Sequence, residues 1–123
     1  MQNFEVIFYR KENGEEPAKE FLINLDVKMR AKIMRAVSRL EENGTTLREP
    51  FSKHLEDGIF ELRATFNSSI SRVLYFFFTG RTVVLTNGFI KKTQKTPRTE
   101  IEKAKIYRAD YMKRRSKNDR NEI

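Results

Sequence analysis

The chain contains no cysteine, which excludes disulfides and thiolate metal sites. It has a single histidine, His54, and no internal repeat. No apolar run approaches the length of a membrane span, and the opening residues Met-Gln-Asn-Phe-Glu-Val carry no signal-peptide pattern. A soluble, cytoplasmic protein with no membrane partner is therefore expected, with no metal and no cofactor. What is present is a globular composition: 38% hydrophobic residues and ten phenylalanines in 123 residues. That length suits one domain with a real core and is too short for two.

Charge is unevenly placed. Residues 1–90 hold 13 basic and 12 acidic side chains, whereas residues 91–123 hold 12 basic and 5 acidic, so nearly all of the net +8 lies late in the chain. Such asymmetry favours a polyanion, either nucleic acid or an acidic protein. For Lys113 to Arg120 the plainer reading is a solvated tail. We therefore divide the chain into a domain, residues 1–112, and a basic disordered tail, residues 113–123.

The pattern of elements is β-α-α-β-β-β-α. Phe4 to Arg10 reads as a strand, with a turn at Asn13-Gly14. Pro17 suits the first position of a helix, and Ala18, Phe21, Leu22 and Leu25 form one apolar stripe. Asp26 caps a second helix, with Met29, Ile33, Val37 and Leu40 on its buried face and Lys28, Lys32, Arg35 and Arg39 mostly elsewhere. Asn43-Gly44 ends it. Residues 45–58, with Pro50, read as a loop. Three strands follow at Ile59–Phe66, Ile70–Thr79 and Thr82–Lys92, the last two joined by a tight hairpin at Gly80-Arg81. Thr96 then caps a helix opening on Pro97, whose weak apolar stripe of Ile101, Ala104 and Tyr111 predicts a helix at the domain's edge. The fold class expected is α+β: a small antiparallel sheet, an N-terminal helical hairpin packed on one face, and a C-terminal helix.

The stretch from Val83 to Pro97 begins as a buried strand and ends in Lys91, Lys92 and Lys95. A strand that delivers cations to its carboxyl end is suited to holding a phosphate; the alternative is a strand ending in solvent. With a two-residue hairpin, Arg72 lies opposite Phe89, and Lys91 becomes its diagonal neighbour on the same face. Arg63 joins them if the turn at Asn67-Ser68-Ser69 uses two residues, and faces the other way if it uses three. Burying Arg72 in so apolar a strand costs several kcal/mol, roughly, unless an anion pairs with it. Glu61 is one such anion, a ligand the other.

Gly58-Ile-Phe-Glu-Leu-Arg63, Ser71-Arg-Val-Leu-Tyr-Phe76, Leu85-Thr-Asn-Gly-Phe-Ile-Lys-Lys-Thr-Gln-Lys-Thr-Pro97 and Glu100-Ile-Glu-Lys-Ala104 occur in that order. Over residues 4 to 112 the chain resembles the HigB branch of the RelE/ParE toxin superfamily, in particular its phage-derived toxin-like subgroup. The resemblance implies a toxin that cleaves messenger RNA on the ribosome without a metal, the substrate's 2′-hydroxyl attacking the adjacent phosphate. It implies a catalytic set of Arg63, Arg72, Lys91 and Lys92, with His54 as a candidate acid or base whose alternative is a plain loop residue. Lys95, Arg98 and Lys53 are the residues expected to hold the RNA. Relatives that end in a catalytic tyrosine or histidine differ from this chain, which continues into a helix carrying Tyr107 and Tyr111. The partner implied is a helix-turn-helix antitoxin, besides the message and the ribosome.

Two other functions fit the same pattern of elements. One is a ParE-like toxin that inhibits DNA gyrase and cuts nothing, which has no need of a convergent phosphate site. The other is a basic nucleic-acid-binding module, which the shortage of aromatic stacking residues at the basic end disfavours.

Overall fold

The computed structural model describes residues 3–91 and 95–121, the last five by backbone alone. Strand β1 (Glu5–Phe8) leads to helix α1 (Pro17–Ile23), which opens on the proline. Helix α2 (Val27–Asn43) follows Asp26, whose carboxylate accepts from the Lys28 N–H at 3.1 Å. Both starts are those the residues dictate, since proline has no N–H to leave unpaired and aspartate supplies an acceptor. Gly44 ends α2 with φ 52, and a Cβ there would stand 2.0 Å from the Phe4 ring. Only glycine meets both demands.

Strands β2 (Ser52–Glu56), β3 (Ile59–Phe66), β4 (Ser69–Phe77) and β5 (Thr82–Lys91) complete a five-stranded sheet in the order β1-β5-β4-β3-β2, followed by helix α3 (Arg98–Asn121). The class is α+β, as expected. The sheet is mixed rather than antiparallel, because β1 pairs parallel with β5. The two helices carry the chain from one edge of the sheet to the other, and the meander brings it back beside its starting strand. The expected loop at 45–58 contains β2, a short polar edge strand paired with β3.

Helices α1 and α2 cover one face, where Leu22, Ile33, Val37 and Leu40 meet Leu62, Val73, Tyr75 and Leu85. A Cβ on Gly88 would lie 2.2 Å from the Phe21 ring, so that glycine seats α1 on β5. Helix α3 covers the opposite face, over Ile59, Leu74, Phe76 and Val84, and is not an edge helix. Its thin apolar stripe is supplemented by rings and charges. Tyr107 stacks on Tyr9 at 4.7 Å, Tyr111 meets Phe78 edge-on at 5.1 Å, Lys105 reaches Glu56 at 2.5 Å and Arg108 reaches Asp57 at 2.9 Å. The helix continues to Asn121, through the segment expected to be a disordered tail. No helix among the described residues is long and apolar enough to cross a membrane.

The β4–β5 hairpin differs from expectation at its tip and agrees at its far end. Phe78 N–H donates to the Thr82 carbonyl at 2.8 Å, so the loop holds three residues, Thr79 to Arg81. Near the tip the register is therefore one residue off the expected one, with Phe77 opposite Val83. A β-bulge at Thr86, whose hydroxyl donates to the Leu74 carbonyl at 3.1 Å, then restores it. Beyond the bulge Arg72 pairs with Phe89.

Candidate functional site

The site is assembled by the two turns of the meander. The β3–β4 turn uses two residues, with Asn67 at φ 57, and Phe66 pairs with Ser69. Arg63 is thereby directly opposite Arg72. Phe89 belongs to the core under α3, so Arg72 and Lys91, in register with it by twos, take the α3 face. Arg63, Arg72 and Lys91 thus share one face on three consecutive strands.

Between the two arginines lies a carboxylate. Glu61, 1% exposed, faces the same way two residues before Arg63. Its Oε1 accepts from the Thr96 hydroxyl at 2.5 Å, and that hydroxyl accepts from Arg72 Nη1 at 3.0 Å. Arg72 Nη1 is itself 3.8 Å from Glu61 Oε1, and Arg63 Nε is 2.9 Å from Oε2. The Arg63 contact is close without being aligned along the N–H, so it is an ion contact and not a hydrogen bond. Arg63 also reaches Glu49 at 3.5 Å. Burial pulls Arg72 below the ordinary guanidinium range, the Glu61 charge opposing the fall and the Arg63 charge adding to it.

The pairing of Arg72 with Glu61 is the structural alternative raised from sequence. Arg72 has 0% exposure beneath Thr96, whereas the Arg63 side chain retains 15%. Of the three cations, Arg63 and the half-buried Lys91 are the ones that reach solvent. Thr96 does not cap α3, because its hydroxyl is spent on Glu61; the Pro97 carbonyl accepts the helix's first bonds, from Glu100 and Ile101.

Of the remaining candidates, Lys53 lies directly across from Glu61, on the α3 face. Lys53, His54, Lys95 and Arg98 border a groove of about 330 Å³ whose walls include Glu61 and Thr96. Arg98 is already bound to Glu56 and Glu102. His54 is opposite Phe60, its ring edge-on at 4.9 Å, and its Nε2 accepts from the Gly58 N–H at 3.2 Å. The alternation of β2 turns it away from the arginines. Lys92 lies outside the described residues. Tyr107 and Tyr111 are core-facing rings.

Sequence reasoning missed two features. One is the place of Thr96 between Arg72 and Glu61. The other is a second groove, where Lys32 and Arg35 of α2 stand near Arg63. The exposed cations on α2 were visible in the sequence; their meeting with β3 depended on how α2 crosses the sheet.

A search of curated proteins finds no match. Residues 20–108, from α1 well into α3, match the family described as "Phage derived protein Gp49-like (DUF891)", a span that includes Arg63, Arg72 and Lys91. This chain belongs to the phage-derived Gp49-like family.

Proposed function

We propose that the chain is the toxin of a toxin–antitoxin pair, a HigB-like endoribonuclease that cuts messages on the translating ribosome. The observation that carries this reading is the direct pairing of Arg63 with Arg72 and the diagonal Lys91 on the same face. Arg63, Arg72 and Lys91 on one face outnumber the carboxylates of Glu61 and Glu49 that meet the arginines, which leaves a net positive charge suited to the negative charge that grows on a phosphate under attack. The substrate's 2′-hydroxyl adds to the adjacent phosphorus and gives its proton to a base. The P–O5′ bond breaks, and the 5′-oxygen takes a proton from an acid. The products are a 2′,3′-cyclic phosphate and a 5′-hydroxyl.

In this reading Arg63 and Lys91 touch the phosphate, with Lys53 and Lys95 on neighbouring phosphates. Arg72 is a positioning residue that holds Glu61, and through it Arg63. Proton transfer falls to the lysine end of β5, because His54 faces away and its Nε2 is engaged. An acidic antitoxin with a helix-turn-helix domain would cover the same cations.

Inducible expression with mapping of RNA ends tests the reading. Wild type is expected to halt translation and leave messages with new 5′-hydroxyl ends, and folded Arg63→Ala is expected to be harmless. Intact messages together with inhibited DNA supercoiling would overturn it in favour of a gyrase poison.

A further inference from the structure

Part of the late positive charge in the sequence is paired in the fold. On α3, Arg98, Lys103, Lys105, Arg108 and Arg114 each meet a carboxylate. The early part of the chain, nearly neutral by count, holds the opposite arrangement. Lys28, Lys32, Arg35 and Arg39 recur at steps of four, three and four residues along α2, which sets them on one flank. All four are exposed, and among the described residues none is in an ion pair. Eleven residues of helix extend this row over about 16 Å.

The row borders the groove at the free edge of β3. Strand β2 begins at Ser52, opposite Leu62, and the Arg63 N–H still donates to the Phe51 carbonyl at 2.9 Å, so Ala64 and Thr65 are paired with β4 alone and open on the other side. Lys32, Arg35, Phe51, Arg63, Ala64 and Thr65 line the opening. The Arg39 guanidinium lies over the Phe51 ring, 4.8 Å from its centre. Arg63 therefore belongs to two places at once: it touches Glu61 in the buried cluster and faces this groove. The exposed Glu49 pairs with Arg63 at 3.5 Å.

We infer that the α2 row and the β3-edge groove form a track for an RNA backbone, which reaches the cluster through Arg63 from the α2 side. Like charges in a row, with no carboxylate among them, fit a ligand with regularly repeated negative charge. The inference rests on the toxin reading for the identity of that ligand as RNA.

The test uses a short 2′-O-methyl oligoribonucleotide, which has no 2′-hydroxyl to attack and so reports binding apart from cleavage. Fluorescence anisotropy is followed across a salt series for wild type, Lys32→Glu/Arg35→Glu, and the control pair Lys19→Glu/Lys113→Glu. Loss of two single-strand phosphate contacts is expected to lower the salt slope by about 1.4 and to weaken binding at least roughly tenfold, with the control pair near wild type. All four side chains are exposed, among the described residues their one ion pair is Lys19 with Glu16 at 3.8 Å, and circular dichroism checks that each variant is folded. Equal losses in both pairs, or none in the α2 pair, would overturn the track. So would a poly-glutamate peptide that binds more tightly than the oligonucleotide at the same salt and is lost in the α2 variant, which would give the face to an acidic protein. Binding without cleavage of ordinary RNA in cells would leave the track standing and remove the nuclease reading.

Discussion

Two guanidinium groups directly opposite each other on neighbouring strands repel, and burial strengthens the repulsion. Arg63 and Arg72 are tolerated because Glu61 lies between them and Thr96 extends its reach to Arg72. Removing one member of a buried pair strands the other, at a cost of about 3–5 kcal/mol. Arg72→Met is therefore expected to lower the urea midpoint sharply, and Glu61→Leu at least as much. Glu61→Leu/Arg72→Met removes both charges and keeps the bulk, and is expected to recover most of the loss. Denaturation of the four proteins as a double-mutant cycle decides; additive losses would mean the two side chains do not interact. For the same reason Arg63→Ala, which leaves Glu61 with Arg72, is the cleaner functional variant. The cluster was partly legible in the sequence, because alternation ties Glu61 to Arg63 and the apolar flanks of Arg72 demand an anion. The use of Thr96 was not legible. Thr-Pro before a helix resembles a cap, and its real acceptor is 35 residues away in the chain.

At the level of elements, the strand that sequence missed and the helix it misplaced are held to each other. Glu56, the last residue of β2, accepts from Arg98 and Lys105 of α3, and these bonds hold its carboxyl down to about 2 from 4.5. A carboxyl depressed in the folded state adds stability above its unfolded value and loses it as pH falls through the folded one. Docking of α3 is therefore expected to weaken between pH 4.5 and about 2. The near-ultraviolet circular dichroism of the stacked Tyr9 and Tyr107 reports it, and Glu56→Gln is expected to lose this acid step while keeping the stack at neutral pH. An identical acid transition in the variant would assign the step to other carboxyls. Neither element shows itself by periodicity. Ser-Lys-His-Leu-Glu has no apolar alternation, and α3 presents few apolar side chains; both depend on charge pairs between segments far apart in the chain. The meander was legible, and its far register came out as expected only because the three-residue loop and the Thr86 bulge cancel.

Across the whole molecule, cover decreases from the middle of the sheet outward. Strand β4 has a strand on each side, and helices cover both faces of the sheet. Strands β1 and β2 are its edges, and α3 is held largely by ion pairs and ring contacts, of which surface pairs contribute about 0–1 kcal/mol each. Opening is therefore expected to proceed in steps, α3 and β2 releasing before the β4–β5 pair. Release of α3 carries Thr96 away from Arg72, so the least secure contacts of the fold lie over its buried cation. Native-state hydrogen exchange in low denaturant tests the order. Amides of α3 and β2 are expected to exchange through openings with a smaller denaturant dependence than those of β4, which require global unfolding. If α3 and β4 merge on one line at all denaturant concentrations, the helix is an inseparable part of the core, and Arg72 is uncovered only when the whole sheet comes apart.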